Sequence, residues 1–116
     1  SIETNVSKSE LADSVSRVCI FANKSTSMLK ISVGDTTIKL EGVDSDFSRK
    51  ASESIKAENS GENITIGVKG DFLSTLLSHI TSSDVLLKMN KPNLPIILHD
   101  INEPNKSILV MPMMIQ

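Results

Sequence analysis

The side chains best suited to metal binding are few and scattered. Histidine occurs twice, as His79 and His99, and the single cysteine is Cys19. His99 precedes Asp100, and such a pair can bind a metal ion. A protein metal site needs further ligands, however, and no His, Cys and Asp cluster stands at metal-ligand spacing. We therefore expect no metal site and interpret His99 and Asp100 as the solvated end of a strand.

The sequence also lacks the motifs of nucleophilic catalysis and of nucleotide binding. Serines are numerous, but none stands in a Gly-x-Ser-x-Gly elbow. The five glycines form no phosphate-binding loop. Cys19 lies beside the apolar residues of a predicted helix, which favours a buried structural thiol over a nucleophile. The sequence predicts a protein that is not an enzyme and binds no cofactor.

The amino-acid composition limits the kinds of partner that we expect this chain to bind. The formal net charge is −2, and the chain has no Trp or Tyr. Proteins that hold nucleic acid by neutralising phosphates are usually basic, and single-strand platforms need aromatic side chains, so we expect neither. No apolar run is long enough to span a membrane. A lone cysteine forms no internal disulfide and the residues after Ser1 do not resemble a signal peptide, so we expect a cytoplasmic protein.

An internal repeat in the sequence predicts the strands and helices that would position any functional residue. Apolar residues first alternate and then follow helical spacing, and the same order returns 62 positions later. The two matching sets are Ile2, Val6, Leu11, Val15 and Val18, then Ile64, Val68, Leu73, Leu77 and Ile80. Each set predicts a short strand that runs directly into a helix.

Local signals predict where the two helices begin. Ser7 and Glu10 have the spacing of a capping box, so the first helix should start near Ser7. The second helix should open around Gly70 and Asp71, with Asp71 a suitable cap. Phe72 and Leu76 extend the apolar stripe of that second helix.

Strands are predicted after each helix. They cover 28–33, 36–41 and 47–57 in the first unit and 85–90, 94–99 and 107–113 in the second. The first two form a hairpin around Gly34 and Asp35, and Asn59-Ser60-Gly61 is the loop between the units. Two helices and about eight strands predict an α+β domain, with the helices packed on antiparallel sheets.

The tail and two inner segments resemble a known family. Leu109-Val110-Met111-Pro112-Met113 is similar to the ending of bacterial DNA polymerase III beta subunits, the sliding clamps. The segment 17–24 resembles the first helix and following loop of their third, carboxy-terminal domain. Residues 64–68, running into Phe72 and Leu73, resemble its second strand–helix unit. The resemblance covers nearly the whole chain and implies the DNA clamp fold, with 1–116 as a single clamp domain.

The resemblance implies a non-catalytic role in DNA replication. A bacterial clamp is a head-to-tail homodimer of three-domain subunits that encircles duplex DNA and tethers the polymerase as a processivity factor. Residues 1–116 would then be the third domain, and the first two would lie outside this chain. Implied partners are DNA polymerase, the clamp loader and repair proteins, which bind through linear motifs. The alternative is a clamp-like peptide-binding interaction module without a DNA role.

The resemblance also implies two sites. The peptide-binding pocket would comprise Thr26, Lys69, Phe72, Pro95, Leu109, Val110, Met111, Pro112 and Met113. Flexible methionines suit such a surface because they accept varied apolar ligands. From the residues alone, a methionine cluster that only seals the sheet edge is the stronger interpretation. Ile20 and Phe21 fall at the family's dimer interface, whereas the residues alone equally allow ordinary burial.

Two basic residues are the candidates to face DNA. They are Arg17 and Lys24, although Arg17 also suits an ion pair with Asp13 one helical turn earlier.

The tail and the second helix depart from the family at several positions. The family commonly ends Pro-x-Arg and one apolar residue, whereas 114–116 here are Met-Ile-Gln. Phe72 and Lys69 replace a family Tyr and Asn, and Thr26 replaces an aromatic residue. These exchanges keep the apolar part of motif recognition and alter its polar part.

Overall fold

The computed structural model describes residues 2–20, 28–44, 49–103, 105 and 107–113, with the backbone alone at 43, 44, 49 and 50. Within these ranges the chain forms two helices and nine strands. They are β1 (Ile2–Ser7), α1 (Lys8–Cys19), β2 (Met28–Val33), β3 (Thr37–Asp44), β4 (Arg49–Ser60), β5 (Ile64–Lys69), α2 (Gly70–Leu77), β6 (Asp84–Met89), β7 (Ile96–Asp100), β8 (Ser107–Val110) and β9 (Pro112–Met113). The strand–helix–strands order occurs twice, which confirms the predicted repeat and the α+β class.

The core is built from the residues that define the repeat. All ten of them are buried, and the equivalent residues Leu11 and Leu73 are only 1% and 2% exposed. They belong to one apolar cluster that also holds the inward side chains of the strands. Equal spacing of apolar residues therefore gives both units the same kind of buried face.

The sheet interlocks the two units. Its strand order is β8-β7-β6-β1-β4-β3-β2-β5-β9, and all neighbours are antiparallel. The first strand of each unit pairs with the second strand of the other unit: β1 with β6, and β5 with β2. Neither unit therefore completes its share of the sheet without the other.

The last strand differs between the units. β4 is unbroken over 12 residues, pairing with β3 along its first part and with β1 along its end. The segment 107–113 was predicted to be one strand, and this is wrong. β8 pairs with β7, β9 pairs with β5 at the opposite end of the strand order, and Met111 lies between them. Since Pro112 has no N–H, it also weakens any continuous ladder there.

The helix starts differ in their capping. The Ser7 hydroxyl accepts a hydrogen bond from the N–H of Glu10 at 3.4 Å, which confirms the predicted start of α1. α2 begins at Gly70, as predicted, but Asp71 is not its cap, because the N-cap is Lys69, without a side-chain cap. Asp71 already lies inside the helix, where its carboxylate accepts the N–H of Phe72 at 2.8 Å.

The junction between the units is shorter than predicted. β4 continues through Asn59 and Ser60, which were assigned to a loop. The Asn59 amide holds this end of the strand, because its oxygen accepts from the Thr4 hydroxyl at 3.1 Å and its nitrogen donates to the Gly34 carbonyl at 3.2 Å. The turn falls on Gly61, whose φ of 142° is open chiefly to glycine.

The last turn of α1 lies directly on β3 at Gly42. A Cβ atom at this position would overlap the carbonyl oxygen of Val18 and lie 3.0 Å from Val18 Cγ1. The missing side chain therefore lets the helix backbone approach the strand closely. Within the described ranges, neither helix has the length and apolar character needed to cross a membrane.

Candidate functional site

An apolar groove lies between α2 and the tail. Its volume is about 280 Å³, and the described residues that line it are Lys69, Phe72, Thr75, Leu76, Leu109, Val110 and Met111. Three of the large apolar side chains are mostly exposed: Phe72 at 59%, Leu109 at 61% and Met111 at 68%. Exposed apolar side chains clustered in this way indicate a surface for binding, since isolated ones are normal but contiguous patches are not.

The break after β8 shapes this groove. Val110 is buried, and Leu109 points to the other side of the strand. The chain then leaves the edge of β7 and joins β5 at Pro112, so Met111 belongs to neither ladder. Phe72 lies on the exposed side of α2, one helical turn before the half-buried Leu76. The groove thus forms where a strand interruption faces a short helix.

One cation stands at the groove. The Nζ atom of Lys69 lies 4.5 Å from the centroid of the Phe72 ring, a cation–π contact. Lys69 is half-buried and is the one charged side chain among the described lining residues. The groove therefore combines an apolar wall with a single positive charge.

The structure brings together five of the nine residues predicted for the pocket. Lys69, Phe72, Leu109, Val110 and Met111 line the groove, whereas Pro95, Pro112 and Met113 are half-buried outside its lining. Thr26 lies outside the described residues. Their shared role in peptide binding stays a prediction.

Sequence reasoning missed two residues that line the groove. Thr75 was not singled out, and Leu76 was assigned only to the apolar stripe of α2. Phe72 was assigned to that stripe as well as to the pocket, and its 59% exposure places it at the outer edge of the stripe. The separation of Phe72 and Leu76 by one helical turn is the signal that could have placed both on one partly exposed face.

Ile20 follows α1 and is 70% exposed. Ordinary burial within the domain is therefore excluded for this side chain. Phe21, its predicted companion at the dimer interface, lies outside the described residues, as does Lys24. The interface role of Ile20 and Phe21 stays a prediction.

Arg17 pairs with Glu53 of β4, not with Asp13. Its Nε and Nη2 atoms donate to the two carboxylate oxygens of Glu53, each at 2.8 Å. Ser14 donates to the same carboxylate at 3.1 Å. The hydrogen bond from Arg17 lowers the pKa of Glu53. The guanidinium remains exposed, but its charge is balanced within the domain.

The accessible face of the helix pair is close to neutral. Two basic residues, Lys8 and Arg17, stand against three acidic ones, Glu10, Asp13 and Asp71, which leaves a formal charge of −1. This face offers no concentration of positive charge for phosphates. The two helices alone therefore give no strong electrostatic grip on DNA.

Asp100 is buried, and the prediction of a solvated strand end is wrong. Its carboxylate accepts from the N–H and hydroxyl of Thr81 at 2.8 and 2.9 Å and from the N–H of Asn102 at 3.0 Å. The hydrogen bond from the Thr81 backbone holds the pKa of Asp100 well below its usual range. No group of three His, Cys, Asp or Glu side chains in the described part of the chain could hold a metal ion. Cys19 is half-buried, and burial raises the pKa of its thiol.

Comparisons with known proteins agree with this architecture. A sequence model of the DNA polymerase III beta subunit, C-terminal domain, matches residues 1–114. No curated protein sequence matches the chain. The DNA polymerase sliding clamp from Pseudomonas aeruginosa superposes with a TM-score of 0.94 at 20% identity, over 99% of this chain and 32% of that one.

Two further solved structures give the same picture. The beta subunit from Borrelia burgdorferi, solved with a natural product, has a TM-score of 0.92 at 23% identity, covering 99% of this chain and 31% of that one. The beta subunit from Thermotoga maritima has a TM-score of 0.93 at 20% identity, again over 99% and 31%.

These likenesses confirm the predicted clamp fold. The chain spans about a third of the length of the clamp structures it matches. At these identities the structures show the fold, while the family match extends over nearly all of the sequence. The chain therefore belongs to the family of carboxy-terminal domains of DNA polymerase III beta subunits.

Proposed function

We propose that this chain is the third domain of a three-domain sliding clamp subunit. The subunit forms a head-to-tail homodimer that encircles duplex DNA and acts as a processivity factor in replication. Family membership and the clamp fold support this role. The exposed apolar groove between α2 and the tail carries the second part of the proposal, that the domain binds linear motifs of DNA polymerase, clamp loader and repair proteins.

The dimensions and composition of the groove suit a short motif. A volume of about 280 Å³ is at or below the lower limit of small-molecule pockets, so it accommodates one or two side chains of a ligand. Phe72, Leu109 and Met111 supply apolar surface that binding would remove from water. Because methionine is flexible, the same wall adapts to motifs from several partners.

The neutral helix face is compatible with a ring. A closed ring retains DNA by topology, so it needs no high density of phosphate contacts. Weak contacts also allow sliding, whereas a strongly basic lining would slow it. The pairing of Arg17 with Glu53 leaves little uncompensated charge on this face.

The groove is tested with a fluorescent peptide that carries the clamp-binding motif of a bacterial replicative polymerase. The full-length protein should bind it saturably, and Met111→Glu should weaken binding at least about tenfold because it places a charge in an apolar contact. The matched control is Ile101→Glu, which changes another exposed apolar residue outside the groove. Equal affinities for Met111→Glu and the wild type would contradict the groove assignment.

Ring formation is tested separately. With a clamp loader, the full-length protein should stay on nicked circular DNA and leave when the DNA is cut. Ile20→Lys combined with Phe21→Lys should turn the dimer into monomers in sedimentation velocity, because two cations replace an apolar contact. An intact dimer would show that Ile20 and Phe21 do not form the interface.

A second function is a clamp-like peptide-binding module without a DNA role. The formal charge of −1 on the accessible helix face favours it, because that face has no evident attraction for phosphates. Saturable peptide binding together with no retention on circular DNA would support this module and contradict the ring.

A further inference from the structure

The single charge of the groove has no acidic partner among the described residues. Lys69 is absent from the two ion pairs of the described chain, and its ammonium lies over the Phe72 ring. The acidic residue closest to it in sequence, Asp71, accepts the N–H of Phe72 at 2.8 Å.

The position of Lys69 makes its charge available to a ligand. The Lys69 side chain is half-buried and its ammonium is already held over the Phe72 ring, so it loses little conformational freedom when it meets a carboxylate. The ring that holds the ammonium is also part of the apolar wall. A ligand side chain packed against Phe72 therefore brings its neighbouring residue close to the Lys69 nitrogen.

We infer that Lys69 makes the groove select linear motifs that place an acidic side chain beside their apolar anchor. The inference rests on the proposed function, because it names the chemistry of the motif that this same groove binds. Lys69 carries the only charge among the described residues that line the groove, so the selectivity depends on this one side chain. A neutral amide favours neutral hydrogen-bonding partners, whereas a lysine attracts carboxylates.

The test uses matched pairs of fluorescent peptides with amidated ends, so that a side chain supplies the only carboxylate. Each pair contains the apolar anchor flanked by Asp or by Asn, with the substitution placed on either side of the anchor. The full-length protein is compared with Lys69→Gln, which removes the charge, and with Lys69→Arg, which keeps it. Lys56→Gln is the matched control, because Lys56 is exposed and lies outside this groove.

The wild type should bind one Asp peptide about two- to fivefold more tightly than its Asn partner, the effect of a partly exposed charge pair. This preference should disappear in Lys69→Gln, persist in Lys69→Arg and Lys56→Gln, and shrink as salt is added. Equal affinity of the wild type for both peptides, or a preference that survives Lys69→Gln, would overturn the selectivity alone. Failure of the wild type to bind any of these peptides saturably would overturn the proposed groove function as well.

Discussion

The two units of the repeat place a groove at the same position, between the start of the helix and the last strand. The groove of the first unit has a volume of about 550 Å³ and is lined mainly by polar residues, among them Ser7, Glu10 and Lys56. In the repeat, Ser7 and Glu10 correspond to Lys69 and Phe72, which lie 62 positions later. Equivalent backbone positions thus carry different groups: a hydroxyl and a carboxylate in the first groove, an ammonium and an aromatic ring in the second.

The difference between the two grooves comes from the last strand of each unit as much as from its helix. β4 passes without interruption from its partner β3 to its partner β1, so Lys56 and Ala57 stay in the ladder. In the second unit the chain breaks at Met111, whose side chain is freed from both ladders. A duplicated backbone therefore fixes where a groove can form, and the interrupted strand determines which groove can take an apolar ligand.

Shortening a buried side chain in each unit is the strongest test of whether the two units are equivalent. Leu11→Ala and Leu73→Ala remove the same side chain at equivalent buried positions. Each should destabilise the domain by about 2–5 kcal/mol, through lost burial and the cavity left behind. Urea unfolding of the full-length protein, followed by hydrogen exchange within this domain, measures both. Ser16→Ala on the exposed side of α1 is the control, and a negligible effect at one leucine would show that the cores are not equivalent.

A smaller effect should distinguish the units at Gly42. Gly42→Ala places a Cβ against the carbonyl of Val18, so α1 must shift, at a cost of about 1–3 kcal/mol. Gly34→Ala is the matched control, because the nearest atoms to its added Cβ would lie at 3.6 Å, an ordinary contact. The same unfolding experiment applies, and equal stabilities of the two variants would refute the close approach of α1 to β3.

Exchanging the helix residues of the two grooves sharpens the comparison. Phe72→Glu gives the second groove the residue of the first and should weaken peptide binding about tenfold, or about 1.4 kcal/mol. Glu10→Phe should create no peptide binding in the first groove, because β4 stays unbroken there. Fluorescence anisotropy measures both, with circular dichroism to verify folding. Peptide binding gained through Glu10→Phe, assayed in the Phe72→Glu background, would show that the strand break is not required.

The smallest expected effect is a difference in acid sensitivity. Glu53 in the first unit and Asp100 in the second have lowered pKa values, so each contributes stability above the ordinary carboxylate pKa of about 4. That contribution is lost as the pH falls through the lowered value. The loss of stability at low pH should become less steep in Asp100→Asn than in Glu53→Gln, because Asp100 is buried and accepts more backbone hydrogen bonds. Thermal unfolding between pH 7 and pH 3 measures the two slopes, and a steeper loss linked to Glu53 would reverse this assignment.

The fold was predictable wherever neighbouring residues carry the signal. The alternation of Ile64 and Val68 and the helical spacing of Leu73 and Leu77 reflect local geometry, and both were correct. The strand break had one local signal, Pro112, inside a segment 107–113 that is otherwise nearly continuous in apolar character. The partners of the two parts were not predictable, because they depend on pairing with the distant β7 and β5.

The site was predictable in its apolar part. Lys69, Phe72 and Met111 were named from the resemblance and do line one groove. The partner of Arg17 was not predictable, since local spacing favours Asp13. Glu53, 36 residues away, instead offers two carboxylate oxygens to the guanidinium. Contacts of this range depend on sheet register, which a single sequence does not reveal.

The exchange of strands between the units has a consequence for how the chain folds. Ile2 pairs with Met89, so β1 lacks one neighbour until most of the domain has been synthesised. Such distant pairings slow folding, because loop closure must precede the gain from contact. A half-domain expressed alone would expose one edge of β1 and one of β2, and two copies would satisfy each other around a twofold axis. The turn at Gly61 joins the two halves in one chain, so each half meets its partner edges without the association of two molecules.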